Sequence, residues 1–354
     1  MTSGEASSSL AGPRERWKLP PTVLPDGDER DLWIADGSFS VAPVERAEIL
    51  PGHFALPGLV DAHAHFALVD HEPADAAVAA AGLRTVAGQG VLFVRDLGAP
   101  DSVTLDIAPD PALPRLIAAG RWLAPRGRFF EPYHDPVPPE ALVSAALAEV
   151  ERGARWIKVV ADWTTPELSY DQDTLRELVE AVHGAGARVA AHVQWTGVRD
   201  VVAAGVDSIE HGCLLDAETL AVMAARGVAW TPTLTAFNAP LPDGAPPEQH
   251  ERRRRRLDNF RALLAPASAR GVTILAGTDT FGAIVDEVRH LIEFGLTPVG
   301  ALRAATTDAR AFFGAASIEA GEPADVVTFE QDPRDDPAVL SRPAAVVLRG
   351  IRIA

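Results

Sequence analysis

The chain has 354 residues, 47% of them hydrophobic, enough to bury a substantial core in one large domain or two ordinary ones. Its formal net charge of −17 argues against nucleic acid as a partner, because affinity for phosphates comes mainly from Lys and Arg displacing counterions. Its one cysteine, Cys213, excludes an internal disulfide framework, so any metal site must be built from histidine and carboxylate.

Residues 1–21 are rich in Ser, Gly, Pro and charge and read as a disordered leader. They lack the apolar run of a secretion signal, and no stretch of the chain approaches about 18 uninterrupted apolar residues. The expectation is a cytoplasmic protein with no membrane partner. DLWIADGSFS and AEILPGHFALPG then read as short strands between turns, too small to form a core alone. ADVVTFEQDP and AAVVLRGIRIA near the C-terminus are again short β-branched runs. The two ends are expected to join as a small β-sandwich-like domain of residues 22–55 and 319–354.

Residues 56–318 lie between, close to the roughly 250 residues of a (β/α)8 barrel. Eight apolar runs read as its buried strands, at 58–61, 91–96, 115–119, 156–160, 188–192, 207–210, 228–233 and 272–277. Patterns such as PEALVSAALAEVERGA, DQDTLRELVEAVHGAGA and DAETLAVMAARG, apolar at three- and four-residue spacing, read as helices between them. Alternation of this kind implies a parallel α/β sheet. An open doubly wound sheet would alternate too, but no Gly-rich phosphate loop follows the first strand. After the seventh strand, NAPLPDGAPPEQHERRRRR reads as a polar, Pro-rich insertion able to act as a lid. The run Arg252 to Arg256 at its end reads as the solvated face of a helix.

The segment DAHAH sets His63 and His65 two apart, on one face of an extended chain, where two imidazoles can converge on one cation. His192 follows ARVAA, His211 follows DSIE and Asp279 follows TILAGT, each where a strand is expected to stop. Barrel enzymes place their chemistry at those ends. Lys158 sits in the apolar run WIKVV, either pointing inward with a depressed pKa or reaching outward to a surface carboxylate.

Taken in order, LPGLVDAHAHF, WIKVVADW, RVAAHVQ, DSIEHG and AGTDT resemble the signature segments of the amidohydrolase superfamily. GVLFVRDLG, LTPVGALRAATTDARAFFG and EAGEPADVVTFEQDP extend the resemblance over the barrel and both flanking β-segments. IKVVAD and SIEHG look most like the Xaa-Pro dipeptidases, related carboxypeptidases and imidazolonepropionase-like enzymes. That resemblance implies a (β/α)8 TIM barrel and two divalent metal ions, usually zinc, bridged by a carbamate on Lys158. His63, His65 and Asp279 would hold one ion, and His192 and His211 the other. A metal-bound hydroxide would be the nucleophile and Asp279 the proton shuttle.

The implied reaction is hydrolysis of an amide C–N bond in a small substrate such as a dipeptide, N-acyl amino acid or cyclic amide. Lactone, ester or organophosphate hydrolysis at the same site, and deamination at a mononuclear site, are the alternatives. Substrate contacts are expected from loops after the strands, at Arg121, Tyr133, His134, Trp163 and Phe281, while His183 reads as an ordinary helix residue. Family members often form homo-oligomers, but no sequence feature fixes an oligomeric state here.

Overall fold

The computed structural model describes residues 15–280 and 282–354. Among them, seven strands form the centre: β1 (Leu59–Ala64), β2 (Val91–Asp96), β3 (Arg115–Ala118), β4 (Trp156–Val160), β5 (Arg188–Val193), β6 (Ser208–His211) and β7 (Ala229–Thr231). They run in two parallel arcs. One is β3-β2-β1, and the other runs from Trp122–Leu123 through β4, β5 and β6 to β7.

The period of two along each strand decides which residues face inward. On β4, Ile157 and Val159 join the outer core shared with the helices, while Trp156 and Val160 join inner clusters. Lys158, between those two, therefore points inward and is buried. Ala190 and His192 on β5, and Ser208 and Glu210 on β6, share that inner side. Its floor is packed with Val60, Ala62, Phe93, Ala229 and Leu275, against which Phe312 and Phe313 rest.

Outside, the helices Ala76–Gly88, Gln172–Gly184 and Ala217–Arg226 bury Leu83, Leu175, Leu178, Val182, Leu220 and Met223 against the strands. Each begins at an aspartate, Asp75, Asp171 or Asp216, whose carboxylate accepts a first-turn amide and so stops the strand-to-helix connection at a defined place.

Two expected strands differ from expectation. The run at 115–119 stops at Ala118 because Gly120 takes φ +74°, and a Cβ there would lie 2.3 Å from Glu149 Oε2. Pairing resumes at Trp122, now with β4. The run at 272–277 makes no regular ladder. Parallel bridges, Trp230 with Ile274 and Ala64 with Asp279, flank it, supported by Leu275 N to Trp230 O at 2.9 Å and Ala62 N to Ala276 O at 2.8 Å. Gly277 passes so close to His63 that a Cβ would lie 2.6 Å from the histidine Cβ. Thr278 then gives its amide and hydroxyl to the Asp61 carboxylate instead of a neighbouring strand.

The terminal segments form two sheets. One orders Ile351–Arg352, Ala345–Leu348, Val326–Phe329, Phe54–Pro57, Thr22–Val23 and Asp28–Glu29; the other orders Ser38–Ser40, Trp33–Ala35, Trp17–Lys18 and Glu48–Ile49. Residues of both share one apolar cluster that includes Trp17, Leu19, Ile34, Phe39, Val326 and Val347. Trp17–Lys18 lies inside the stretch expected to be a disordered leader. Burying an indole against Ile34 and its neighbours is what orders it. Residues 1–14 of that leader fall outside the described residues. The arginine run also departs from a wholly solvated face. Within the helix Pro247–Ala269, Arg253 donates to Asn238 O and Ala239 O, and Arg256 lies over the rings of Trp195 and Phe237.

Asp325 ties the terminal sheets to the parallel strands. It is buried, accepts from Arg115 Nε at 3.0 Å and from Arg349 N at 2.9 Å, and lies 4.0 Å from the buried Arg310. Removing it leaves a buried guanidinium without its counter-charge, so Asp325→Ala is expected to lower unfolding stability by about 3 kcal/mol in urea denaturation. A loss below about 1 kcal/mol would mean that apolar packing alone holds the junction.

Candidate active site

Six side chains singled out in the sequence meet above the inner side of the strands. His63 ends β1 and His65 follows it, Lys158 is central in β4, His192 and His211 end β5 and β6, and Asp279 follows the 272–277 segment. His211 comes directly after the inward-facing Glu210, so a continuing strand would send its ring outward. Its backbone instead turns left-handed, φ 69°, and its ring centroid comes to 5.1 Å from that of His63. Asp279 makes the same kind of turn at φ 60°, held by its amide on His63 O at 2.7 Å. Backbone held in this region by non-glycine residues recurs where side chains are aimed for function.

The partners of each ring fix its protons. A carbonyl only accepts, so His65 Nδ1, 2.9 Å from Gly98 O, carries the proton and Nε2 is a bare lone pair. That lone pair faces Asp279 Oδ1 at 3.4 Å. His63 Nδ1 donates to Glu210 Oε2 at 2.8 Å, leaving Nε2 bare, 3.4 Å from Lys158 Nζ. Thr233 spends its hydroxyl proton on Pro232 O and accepts from His211 Nδ1 at 2.7 Å. The remaining His211 Nε2 meets His192 Nδ1 at 2.9 Å. Burial, reinforced by neighbouring positive charge, holds His63, His192 and His211 far below the usual imidazole range, and burial foremost holds His65 at about 3.

The result is a set of neutral imidazoles: His192 Nδ1 donates to the bare Nε2 of His211, which leaves His192 Nε2 buried without a partner, while His65 Nε2 faces a carboxylate. Ligand atoms of His63, His65 and Asp279 all lie within 4.8 Å of one another, a spacing that suits one metal ion. Imidazole nitrogen with carboxylate oxygen is a donor set for zinc and other first-row divalent ions. Burial pushes the Lys158 ammonium down to about 8 and, as the largest cause, the Asp279 carboxyl up to about 6.

A layer beneath holds these groups. Glu210 accepts from Arg95 at 2.9 Å through its second oxygen, with Ser208 Oγ 2.5 Å away. Arg95 also donates to Ala62 O at 2.7 Å and stacks over Trp156 at 4.4 Å. Asp61, pushed up to about 6 chiefly by burial, takes the Thr278 hydroxyl at 2.6 Å and the amide of His63. Neither Arg95 nor Glu210 was picked out in the sequence, although each is a charge inside an apolar strand, the same signal that marked Lys158.

The six side chains open into a cavity of about 510 Å³. Of the expected substrate contacts, Tyr133 and Trp163 line it. His134 and Arg121 do not. They line a neighbouring polar cleft, where His134 Nδ1 is 3.1 Å from Phe130 O and Arg121 Nε is 3.2 Å from Glu149 Oε1. Those local partners turn both side chains away from the histidines. Phe281 falls outside the described residues. His183 is in a helix and meets Asp207 at 2.8 Å, apart from the site. Trp122, Phe129, Phe130 and Phe237 also line the cavity; single aromatics of this kind carry no spacing signal that separates them from packing residues.

Comparison with known proteins agrees with this geometry. An uncharacterized protein of Mycobacterium tuberculosis is 37% identical over 345 residues, covering 92% of this chain and 93% of its own. The ochratoxinase of Aspergillus niger is 29% identical over 226 residues, 58% of this chain and 47% of that protein. Its crystal structure superposes with a TM-score of 0.80 at 21% identity, covering 96% of this chain and 95% of that one. A Xaa-Pro dipeptidase crystallised with methionine in its active site gives a TM-score of 0.80 at 22% identity, covering 96% and 99%. The model of the amidohydrolase family matches residues 54–352, most of the chain, and the chain belongs to that family.

Proposed function

We propose that this chain is a binuclear metal-dependent hydrolase that cleaves the amide C–N bond of a small substrate. Family membership makes it a hydrolase of the C–N bond class. The observation that carries the finer reading is the buried convergence of His63, His65 and Asp279 ligand atoms within 4.8 Å of one another, beside a buried His192 Nε2 that has no hydrogen-bond partner. His63, His65 and Asp279 would hold one ion, His192 and His211 the other, and a carbamate on Lys158 would bridge them.

When bound, such ions, with zinc the best match to the donors, supply activated water and polarise the scissile carbonyl. The chain's own residues do the rest. Glu210 and Arg95 keep the proton of His63 on Nδ1. Asp279, its carboxyl raised to about 6, is suited to accept a proton from water and return it to the leaving nitrogen. The surrounding architecture in this reading is a (β/α)8 TIM barrel of residues 56–318, closed by the 272–279 segment, beside a small β-domain of 22–55 and 319–354. No described helix is long and apolar enough to cross a membrane.

Elemental analysis of protein purified in bicarbonate without chelators is expected to give close to two metals per chain, falling to one or none in Lys158→Ala, with activity lost in parallel. One metal in both proteins would sink the binuclear reading and favour mononuclear chemistry such as deamination. Glu210→Gln is expected to weaken metal affinity about 10–100-fold in chelator competition, because it loosens the ring orientation of His63. Wild-type affinity in a folded Glu210→Gln protein would leave that carboxylate a purely structural role.

A further inference from the structure

We propose that the substrate is neutral on both sides of the scissile bond and carries an aromatic or bulky apolar group, so that the cavity takes acyl amides, anilides or carbamates and disfavours dipeptides and N-acyl amino acids with a free α-carboxylate. This rests on the C–N hydrolase reading of the same site and narrows it.

The walls are apolar and aromatic. Trp122, Phe129, Phe130, Tyr133, Trp163 and Phe237 line the cavity. Phe129 and Phe130 pack edge-on against Trp163 at 5.0 and 4.7 Å. The rings reach down to the reacting end, with Trp122 at 5.3 Å from His65, Trp163 at 5.3 Å from His192 and Phe237 at 5.4 Å from His211. A group attached next to the scissile carbonyl must therefore sit against aromatic faces, which favour flat apolar partners.

Among the described residues, the donors that the wall offers a carboxylate apart from the proposed metal ligands are neutral, chiefly the Gln194 amide and the Thr280 hydroxyl. Among the described residues, no arginine lines the cavity. The nearby guanidiniums are turned elsewhere: Arg121 to Glu149 and Asp135, Arg128 to Thr165 Oγ1 and Glu167 O, Arg256 onto the rings of Trp195 and Phe237. The ammonium that does line it, Lys158, is at the floor against His63 Nε2, among the proposed metal ligands. His71 sits at the exposed rim, where water screens any charge it carries, and its carbonyl already accepts the Tyr133 hydroxyl at 2.5 Å. An α-carboxylate, two bonds from the scissile nitrogen, meets aromatic rings and neutral donors in place of a guanidinium when the acyl carbonyl is at the floor, and burying it without a cation is unfavourable.

The test uses the full chain loaded with zinc and two matched pairs that differ only by a carboxylate: N-acetylphenethylamine against N-acetyl-L-phenylalanine, and N-benzoylpyrrolidine against N-benzoyl-L-proline. Binding is read by titration calorimetry and turnover by amine release. The neutral member of each pair is expected to bind at least tenfold more tightly, and Trp163→Ala and Phe129→Ala to weaken that binding about tenfold with metal content unchanged. Equal or tighter binding of the acids, or no binding of either member, overturns the inference. Tighter neutral binding without turnover of any member supports the inference and sinks the C–N hydrolase reading, whereas preferred turnover of the acids does the reverse.

Discussion

Glu210 is fully buried, and a carboxylate in that position persists only with a cation and enough donors to replace water. Arg95 supplies the cation at 2.9 Å, and it needs partners of its own, which it finds in Ala62 O, Ser208 Oγ and the ring faces of Trp156 and Phe313. Once that pair is in place, the free oxygen of Glu210 can only accept, so His63 must carry its proton on Nδ1 and present a bare Nε2 to the cavity. His65 and His211 are fixed separately, by Gly98 O and Thr233 Oγ1. A charge pair at the centre of the parallel strands thus decides which nitrogen one imidazole at their ends presents to the cavity.

The same strands show how a regular element is bent to a task. Alternation by itself delivers Lys158 and His192 to the inner side, and it delivers Glu210 in place of His211. The left-handed residue at 211 corrects this by one step, and the one at 279 does the same for a segment whose ladder has already lapsed around Gly277. Both turns are held by backbone bonds: Gly212 N donates to Val193 O at 2.9 Å, and Asp279 N to His63 O at 2.7 Å. Side chains that end strands in this way are positioned by the sheet yet not bound to its two-residue period.

What could be read from the sequence tracks how local the cause is. The runs around 91–96, 156–160 and 188–192 needed only apolar content and a polar stop, and they are strands here. The six metal-ligand candidates were visible because histidine, lysine and aspartate at strand ends are costly without a task. Gly120 and Gly277 break their strands through contacts with Glu149 and His63, which lie far away in the chain, so no window around 115–119 or 272–277 contains the cause. His134 lines the neighbouring cleft for a local reason, its ring meeting Phe130 O four residues back. Arg95 and Glu210 were legible in principle, and only pairing them across 115 residues was not.

The arginine run shows a local pattern masking a distant role. Arg252 and Arg256 flank the ring of Trp195 at 5.9 and 5.5 Å. Trp195 in turn donates its indole N–H to Trp163 O at 2.8 Å, and its amide to Asp162, which also takes the amide of Gln194. Trp163 is the ring that packs on His192. The helix Pro247–Ala269 is therefore linked, through stacked cations and two indoles, to the wall beside a candidate metal ligand. Arg252 is exposed, whereas Arg256 is half-buried and its pKa is lowered foremost by that burial, which is why the helix reads as a solvated surface while its inner edge braces the cavity. A charge run is thus polar toward solvent and aromatic-facing toward the site, two properties that helical spacing alone does not separate.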